Sequence, residues 1–238
     1  MMYNNVTLYS ETAKNKLTKE ELDFYEGWDA NCLTLKQMFP DTVFIRGNTD
    51  ISQVALSFDD APDTVYTPQI LDILREYHLK ASFSIVGEYI EKNREILQRI
   101  YQEGHNLINH TYSHRDLTRL SKSNIKREIT STEQMIYEIT GFKTVLLRPP
   151  YGKLDVNSCR VITECNYKAI LWSYNTCDWV ADCKEDILCG MCSNIRNGEI
   201  ILLHSYENKK PTVNALFSII EELLKNGIKF VSIDDMIQ

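Results

Sequence analysis

From residue 53 onward, short apolar and β-branched runs alternate with longer stretches whose apolar positions recur at helical spacing. A period switching between 2 and 3.6 marks successive strand–helix units and a parallel sheet. The strand-like runs fall at residues 54–58, 82–86, 106–109, 144–148, 169–173, 200–203 and 229–231. The helical stretches fall at 68–77, 90–103, 121–140, 156–165, 185–196 and 212–225. Local chemistry supports several of these limits. Thr67 before Pro68 reads as an N-cap followed by proline at the first helical position. Gly104, Gly141 and Gly227 each fall just past a helical run, where a left-handed residue closes a helix. Seven strand–helix units in 238 residues close most simply into a ring. The predicted architecture is therefore α/β, an irregular (β/α)7 barrel.

Residues 1–50 read differently, polar at first and then containing one helix opened by Thr18 with Glu21 three residues on, the spacing of a capping box. This stretch is expected to be an accessory segment, covering the lower end of the barrel or packing on its side, with no chemistry visible in it. No stretch approaches the roughly 20 apolar residues of a membrane span, and residues 1–15 lack the charged start and apolar centre of a secretory signal. The 26 basic and 33 acidic side chains, with a pI near 5.3, give no broad positive field for nucleic acid or anionic lipid. A neutral or cationic substrate suits such a surface better, and a monomer is expected. Seven cysteines leave at least one unpaired within the chain, which leans towards a reducing or anaerobic setting. Cys189-Gly190-Met191-Cys192 has the spacing of a metal or redox pair, and it equally suits small apolar residues on the inner side of a helix with Leu188 and Ile195.

The first predicted strand runs straight into Asp59-Asp60, at the end where barrel enzymes carry their catalytic groups. Adjacent carboxylates there are costly without a cation, although Pro62 and Asp63 also suit a plain Asp-rich turn. The third strand ends in Asn109-His110-Thr111-Tyr112-Ser113-His114. Histidines four apart share one face of a helical turn, so both imidazoles can reach a single ion. Of the five histidines, His110, His114 and His204 directly follow predicted strands, whereas His105 reads as a capping or packing residue and His78 as solvent-facing. The fourth strand leads into Arg148-Pro149-Pro150-Tyr151-Gly152, a stiff turn with an arginine ready to pair with a carboxylate. Such a turn can aim a backbone N–H at negative charge developing in acyl transfer, and it also suits an ordinary barrel connection. Asp178-Trp179 follows the fifth strand and Leu202-Leu203-His204 closes the sixth; Trp or Leu there suits core as well as pocket. Five strand ends thus bring carboxylates, imidazoles, an arginine and an aromatic to one rim.

In these residues the chain resembles the polysaccharide deacetylases of carbohydrate esterase family 4, the NodB-homology domain. Ser57-Phe58-Asp59-Asp60-Ala61-Pro62, His110 through His114, Arg148 through Gly152, Asp178-Trp179 and Leu202-Leu203-His204 look like the family's five motifs in order. The resemblance covers residue 54 to the C-terminus and assigns 51–238 to a deacetylase domain. It implies a distorted barrel and a hydrolase using a divalent metal, zinc first, with cobalt, nickel or manganese as substitutes. Carried over residue by residue, it implies that Asp60, His110 and His114 bind the metal and that Asp59 is the general base. The backbone N–H of Tyr151 would help hold the oxyanion, and His204 would protonate the departing sugar nitrogen. Arg148 would orient Asp59, Asp178 would orient His204, and Trp179 and Leu202 would line the acetyl pocket.

The implied substrate is an acetylated amino-sugar glycan, peptidoglycan or chitin-like, and the implied setting is secreted or in the cell envelope. Two positions depart from the pattern. Ala61 stands in place of the usual glycine, which matters if that position has positive φ, and Asn175 stands where many members carry a further acid. Competing readings are an O-acetyl esterase on a xylan-type polymer, a non-catalytic sugar-binding module of the same fold, and an iron oxygenase with a facial triad. The last has no need of Asp59 beside a ligand or of a separate histidine acid.

Overall fold

The alternation is realised as one sheet of ten parallel strands in the computed structural model, which describes residues 8–189 and 191–237. The chain runs β1 (Leu8–Tyr9), α1 (Glu11–Lys14), α2 (Lys19–Met38), β2 (Val43–Phe44), β3 (Gln53–Ala61), α3 (Tyr66–Glu76), β4 (Ser82–Ile85), α4 (Gly87–Ile90), α5 (Arg94–Gln102) and β5 (Asn106–Asn109). It continues α6 (Lys122–Thr140), β6 (Leu146–Leu147), α7 (Val156–Glu164), β7 (Lys168–Ile170), β8 (Tyr174–Asn175), α8 (Lys184–Leu188), α9 (Met191–Asn194), β9 (Ile200–His204), α10 (Lys210–Lys225), β10 (Lys229–Phe230) and α11 (Ile233–Met236). The strand order is β1-β8-β9-β3-β4-β5-β6-β7-β2, with β10 paired to the start of β3. β7 and β8 lie towards opposite ends of that order, yet three residues separate them in the chain. The segment 168–175 therefore closes the barrel, its first half bonded to β6 and its second half to β9. This is why the single strand expected at 169–173 appears as two.

Two other expectations shift at their edges. The helix expected at 185–196 is two short pieces, α8 and α9, and the Cys189/Cys192 pair falls partly outside the described residues, since Gly190 and the Cys192 side chain are among those not described. Thr67 lies inside α3 and does not cap it; the N-cap position is Val65, and the first N–H groups are satisfied by Asp63. Its carboxylate accepts from the N–H groups of Val65, Tyr66 and Thr67 at 3.1, 2.8 and 2.7 Å, and the helix starts two residues before Pro68. The Thr18–Glu21 capping box forms as expected, and Gly104, Gly141 and Gly227 take φ of 77°, 70° and 73°.

Alternation along β3 divides the core. Val54, Leu56 and Phe58 pack outward against α3 and α10 through Ile70, Leu74, Leu216 and Ile219. Ala55 belongs to the second apolar cluster, with Ile108, Leu146, Trp172 and Leu202. Odd positions of β3 thus face the barrel interior, and Ser57 and Asp59 follow Ala55 on that side. Residues 8–44 are tied to both margins, since β1 pairs with β8 and β2 with β7. The stripe Trp28, Cys32 and Leu35 of α2 packs on the side of the barrel. No helix among the described residues is long and apolar enough to cross a membrane.

Candidate active site

Strict alternation would send Asp60 outward, away from Asp59. Instead the register with β4 shifts between Phe58 and Ala61, and Asp60 takes a φ of 65°, so a bulge turns its carboxylate to the rim. The positive φ thus falls on Asp60 and not on Ala61, which removes the reason for glycine at position 61. The His110–His114 turn also differs from expectation, because it is an irregular bend with left-handed backbone at Thr111 (65°) and His114 (52°) rather than a helical turn. Side chains hold the bend. Glu128 accepts from the Ser113 N–H at 2.8 Å and from its hydroxyl at 2.7 Å, while Asn109 accepts from Thr111 N–H and donates to the Ile129 carbonyl, both at 2.9 Å.

Together these bends bring three donors to one point. Asp60 Oδ1 lies 3.6 Å from His110 Nε2 and 3.4 Å from His114 Nε2, and the two nitrogens are 3.2 Å apart. Donors about 2.05 Å from a tetrahedral ion stand roughly 3.3 Å from one another, so the three fit one such cation. Among the described residues no other set of three His, Cys, Asp or Glu side chains comes as close. His110 Nδ1–H donates to the Arg148 carbonyl at 2.7 Å, leaving Nε2 with a lone pair turned to Asp60. Burial, with the His110 imidazole beside it, pushes His114 down to about 4, so its ring is neutral and able to ligate at physiological pH.

Asp59 and His204 flank this group. Asp59 Oδ2 is 3.8 Å from His110 Nε2, and Arg148 Nη1 donates to both Asp59 oxygens at 3.1 and 3.2 Å. Burial works against the Asp59 charge, but the Arg148 guanidinium overrides it, helped by His110 and His204, and holds the carboxyl below its ordinary range. Arg148 is itself fully buried, its Nη2 donating to Ser57 Oγ at 3.2 Å and its guanidinium lying 5.5 Å from the Trp172 ring. On the other side, His204 Nδ1–H donates to Asp178 Oδ1 at 2.7 Å. The other Asp178 oxygen accepts from the His204 N–H at 2.9 Å and the Thr212 hydroxyl at 2.6 Å. Burial pushes the His204 imidazole down, and the Asp178 carboxylate more than offsets this, holding it above the ordinary imidazole value. The Nδ1 bond leaves Nε2 as the ring's proton-bearing edge away from Asp178.

A cavity of about 660 Å³ opens over these groups, lined by Asp59, Asp60, His110, His114 and His204 together with Tyr151, Trp179 and Leu202. All ten expected site residues therefore gather at one rim, with Arg148 and Asp178 standing behind the lining. Trp179 packs edge-on against His204, ring centroids 5.5 Å apart. Tyr151 takes a φ of 59°, an uncommon conformation for a bulky residue. With Asp60, Thr111 and His114 it makes four left-handed non-glycine residues at one site, where such strain of about 1–3 kcal/mol each is characteristically held.

Sequence reading missed part of the wall. Thr18, Glu20, Glu21, Phe24 and Tyr25 of the N-terminal segment line the same cavity, and Trp179 Nε1–H donates to Glu21 at 3.4 Å. The segment packs on the side of the barrel, but its first turns reach the upper rim. The signal was there in Glu21, Tyr25, Trp28 and Cys32, which recur at helical spacing in a segment expected to carry no chemistry. His105 and His78 fall where expected, one buried at the far end of β5 and the other exposed.

Fold and site together place a potential Asp-His-His metal site at the C-terminal strand ends of an α/β barrel. Residues 46–170 match the family model for polysaccharide deacetylase, and the chain belongs to that family. It is similar to the peptidoglycan-N-acetylglucosamine deacetylase of Bacillus cereus, 37% identical over 189 residues that make up 79% of this chain and 69% of that one. It is also similar to the peptidoglycan-N-acetylmuramic acid deacetylase PdaA of Bacillus subtilis, 31% identical over 197 residues, 81% of this chain and 74% of that one. Among solved structures, a crystal structure of a peptidoglycan N-acetylglucosamine deacetylase superposes with a TM-score of 0.82 at 34% identity, covering 85% of this chain and 96% of the other.

Proposed function

We propose that this protein removes N-acetyl groups from N-acetylglucosamine-containing glycans of the peptidoglycan or chitin type, with Asp60, His110 and His114 holding a divalent cation. The spacing of those three donors between 3.2 and 3.6 Å, with Asp59 on one side and His204 on the other, carries the reading. Two imidazoles and one carboxylate suit zinc best, and cobalt, nickel or manganese accept the same set. When bound, the cation supplies Lewis acidity that acidifies water and polarises the acetyl carbonyl.

The rest falls to the chain. Asp59, kept ionised by Arg148, takes the proton of the attacking water as general base. The N–H of Tyr151 faces the carbonyl oxygen as negative charge develops on it, and the left-handed turn fixes that N–H before substrate arrives. His204, kept protonated by Asp178, delivers a proton to the departing sugar nitrogen, which could not leave as an amide anion. Trp179 and Leu202 enclose the acetyl methyl and exclude water from it. The similarity to deacetylases of N-acetylglucosamine and N-acetylmuramic acid in peptidoglycan supports the substrate class.

Acetate release measures this directly, with peptidoglycan fragments, chitooligosaccharides and acetyl-xylan as substrates and zinc, cobalt or chelator added. Release from the amino-sugar substrates that stops with chelator is expected. Release from acetyl-xylan alone would make the protein an esterase, and oligosaccharide binding without any release would make it a sugar-binding module.

A further inference from the structure

Helix α2 lies outside the segment that matches the family model, yet it grips the turn that carries Tyr151. Trp28 Nε1–H donates to the Gly152 carbonyl at 2.8 Å, in a buried hydrogen bond between residues 124 apart in sequence. Its indole stacks on Trp172 with centroids 4.8 Å apart and planes 18° from parallel. One helical turn on, the Asn31 amide donates to the Leu154 carbonyl at 3.0 Å. Both acceptors lie within three residues of Tyr151. Gly152, with a φ of 66°, completes the fit, since a Cβ there would stand 2.5 Å from Trp172 Cη2 and 3.1 Å from Trp28 Cζ2. The turn is therefore pressed against two stacked indoles, and the indole on the far side comes from α2.

We propose that Trp28 is a positioning residue for the deacetylation reaction: its indole N–H and its stack on Trp172 lock the Pro149–Gly152 turn so that the Tyr151 N–H is fixed where the oxyanion forms. This rests on the oxyanion role given to Tyr151 above. Consecutive left-handed residues such as Tyr151 and Gly152 are not a resting conformation of an isolated chain, so something outside the turn must hold them. The hydrogen bonds recorded within the turn, Gly152 N–H to Pro149 and Lys153 N–H to Pro150 at 3.0 and 3.1 Å, close it upon itself without anchoring it to the barrel. Arg148, just before the turn, is tied to the barrel through Asn109 and His110, and the far side of the turn is anchored by Trp28 and Asn31. Misplacing a catalytic group by about 1 Å can cost on the order of 100-fold in rate. The N-terminal segment thereby becomes part of the machinery that sets turnover, through contacts that leave the cation's donors untouched.

The test uses the full chain carrying Trp28→Phe, which keeps an aromatic ring beside Trp172 and removes the N–H, and Asn31→Ala at an exposed helix position where folding is not at risk. Two readouts are taken: steady-state kinetics on an acetylated chitooligosaccharide, and amide hydrogen exchange over residues 148–154, which needs no activity. Trp28→Phe is expected to lower kcat about tenfold or more with KM and zinc affinity unchanged, and to speed exchange in 148–154 while the rest of the barrel keeps its protection. Asn31→Ala is expected to do the same by about two- to threefold. Unchanged exchange in 148–154 for both variants would overturn the proposal, and so would a loss that appears as raised KM or weakened zinc binding. If the wild type releases no acetate, the deacetylase reading fails by itself, and exchange in 148–154 still decides whether Trp28 holds the turn.

Discussion

Strand β5 carries a buried histidine just beyond each end, and the two have little else in common. At the lower end, His105 accepts a hydrogen bond from the Ala81 N–H at 3.3 Å and packs edge-on against Phe83. Burial, with Lys80 nearby, pushes its pKa down to about 4, so it stays neutral and serves as a packing residue. At the upper end, His110 has its Nδ1–H committed to a backbone carbonyl and its Nε2 turned towards two carboxylates and a second imidazole. Burial is the same for both, at 5% and 1% exposure, and therefore does not distinguish function from packing. The upper end differs in having convergent charge and left-handed backbone at Asp60, Thr111, His114 and Tyr151. Function at this barrel lies where local conformational preference has been overruled.

The sharpest way to break this contrast is at the proposed cation donors. His114→Ala should abolish zinc binding in a calorimetric titration and lower acetate release by more than 1,000-fold, since two donors rarely hold zinc. Asp59→Asn should keep zinc affinity and still lose about 1,000-fold in turnover, within the range for a general base. An Asp59→Asn enzyme with near-normal turnover would remove the base from the scheme. A smaller effect belongs to the His204 support. In the proposed scheme His204 acts in its protonated form, so the rate should fall as pH rises through its pKa, and Asp178 places that fall above the ordinary value of about 6.5. Asp178→Asn should lower kcat about 100-fold and move the alkaline limb of the pH–rate profile to lower pH.

The smallest effect on activity is expected at the lower end. His105→Leu should leave acetate release unchanged while altering the dependence of stability on acid. The folded pKa of about 4 lies below the unfolded value of about 6.5, so the unfolded chain binds the extra proton first. Stability from this group is full above pH 6.5 and is lost as pH falls towards 4, by about 3 kcal/mol in all. Urea unfolding at pH 7 and pH 4.5 should show the loss shrinking in the variant by part of that amount. An equal acid dependence in both proteins would mean that His105 is not the group responsible.

The large elements were readable from the chain because their signals are local. Periodicity located the strands from β3 to β6 and at β9 and β10 to within a few residues, and the helices α3, α5, α6, α7 and α10 nearly as well, because an element buried on one stripe or on both faces must write that pattern into its sequence. Three short strands escaped. β1 and β2 at the margins of the sheet, and β8 between β1 and β9, are two residues each, and they form because a neighbouring strand offers N–H and C=O groups. The candidate site residues, picked by type and by their position after predicted strands, do gather at one rim, yet the expected helical turn between His110 and His114 was mistaken, because Glu128 and Asn109 supply contacts that spacing cannot reveal.

By itself, the sequence determined the barrel, the identity of the chemical groups and the rim on which they stand, since all of these follow from periodicity and from residue type at strand ends. Tertiary structure alone decided that Asp60 turns inward at a bulge, that His110 and His114 meet across an irregular bend, and that α2 walls the cavity and clasps the Tyr151 turn. Those outcomes depend on contacts between residues up to 158 positions apart, as between Glu21 and Trp179, and no local pattern encodes a distance of that kind.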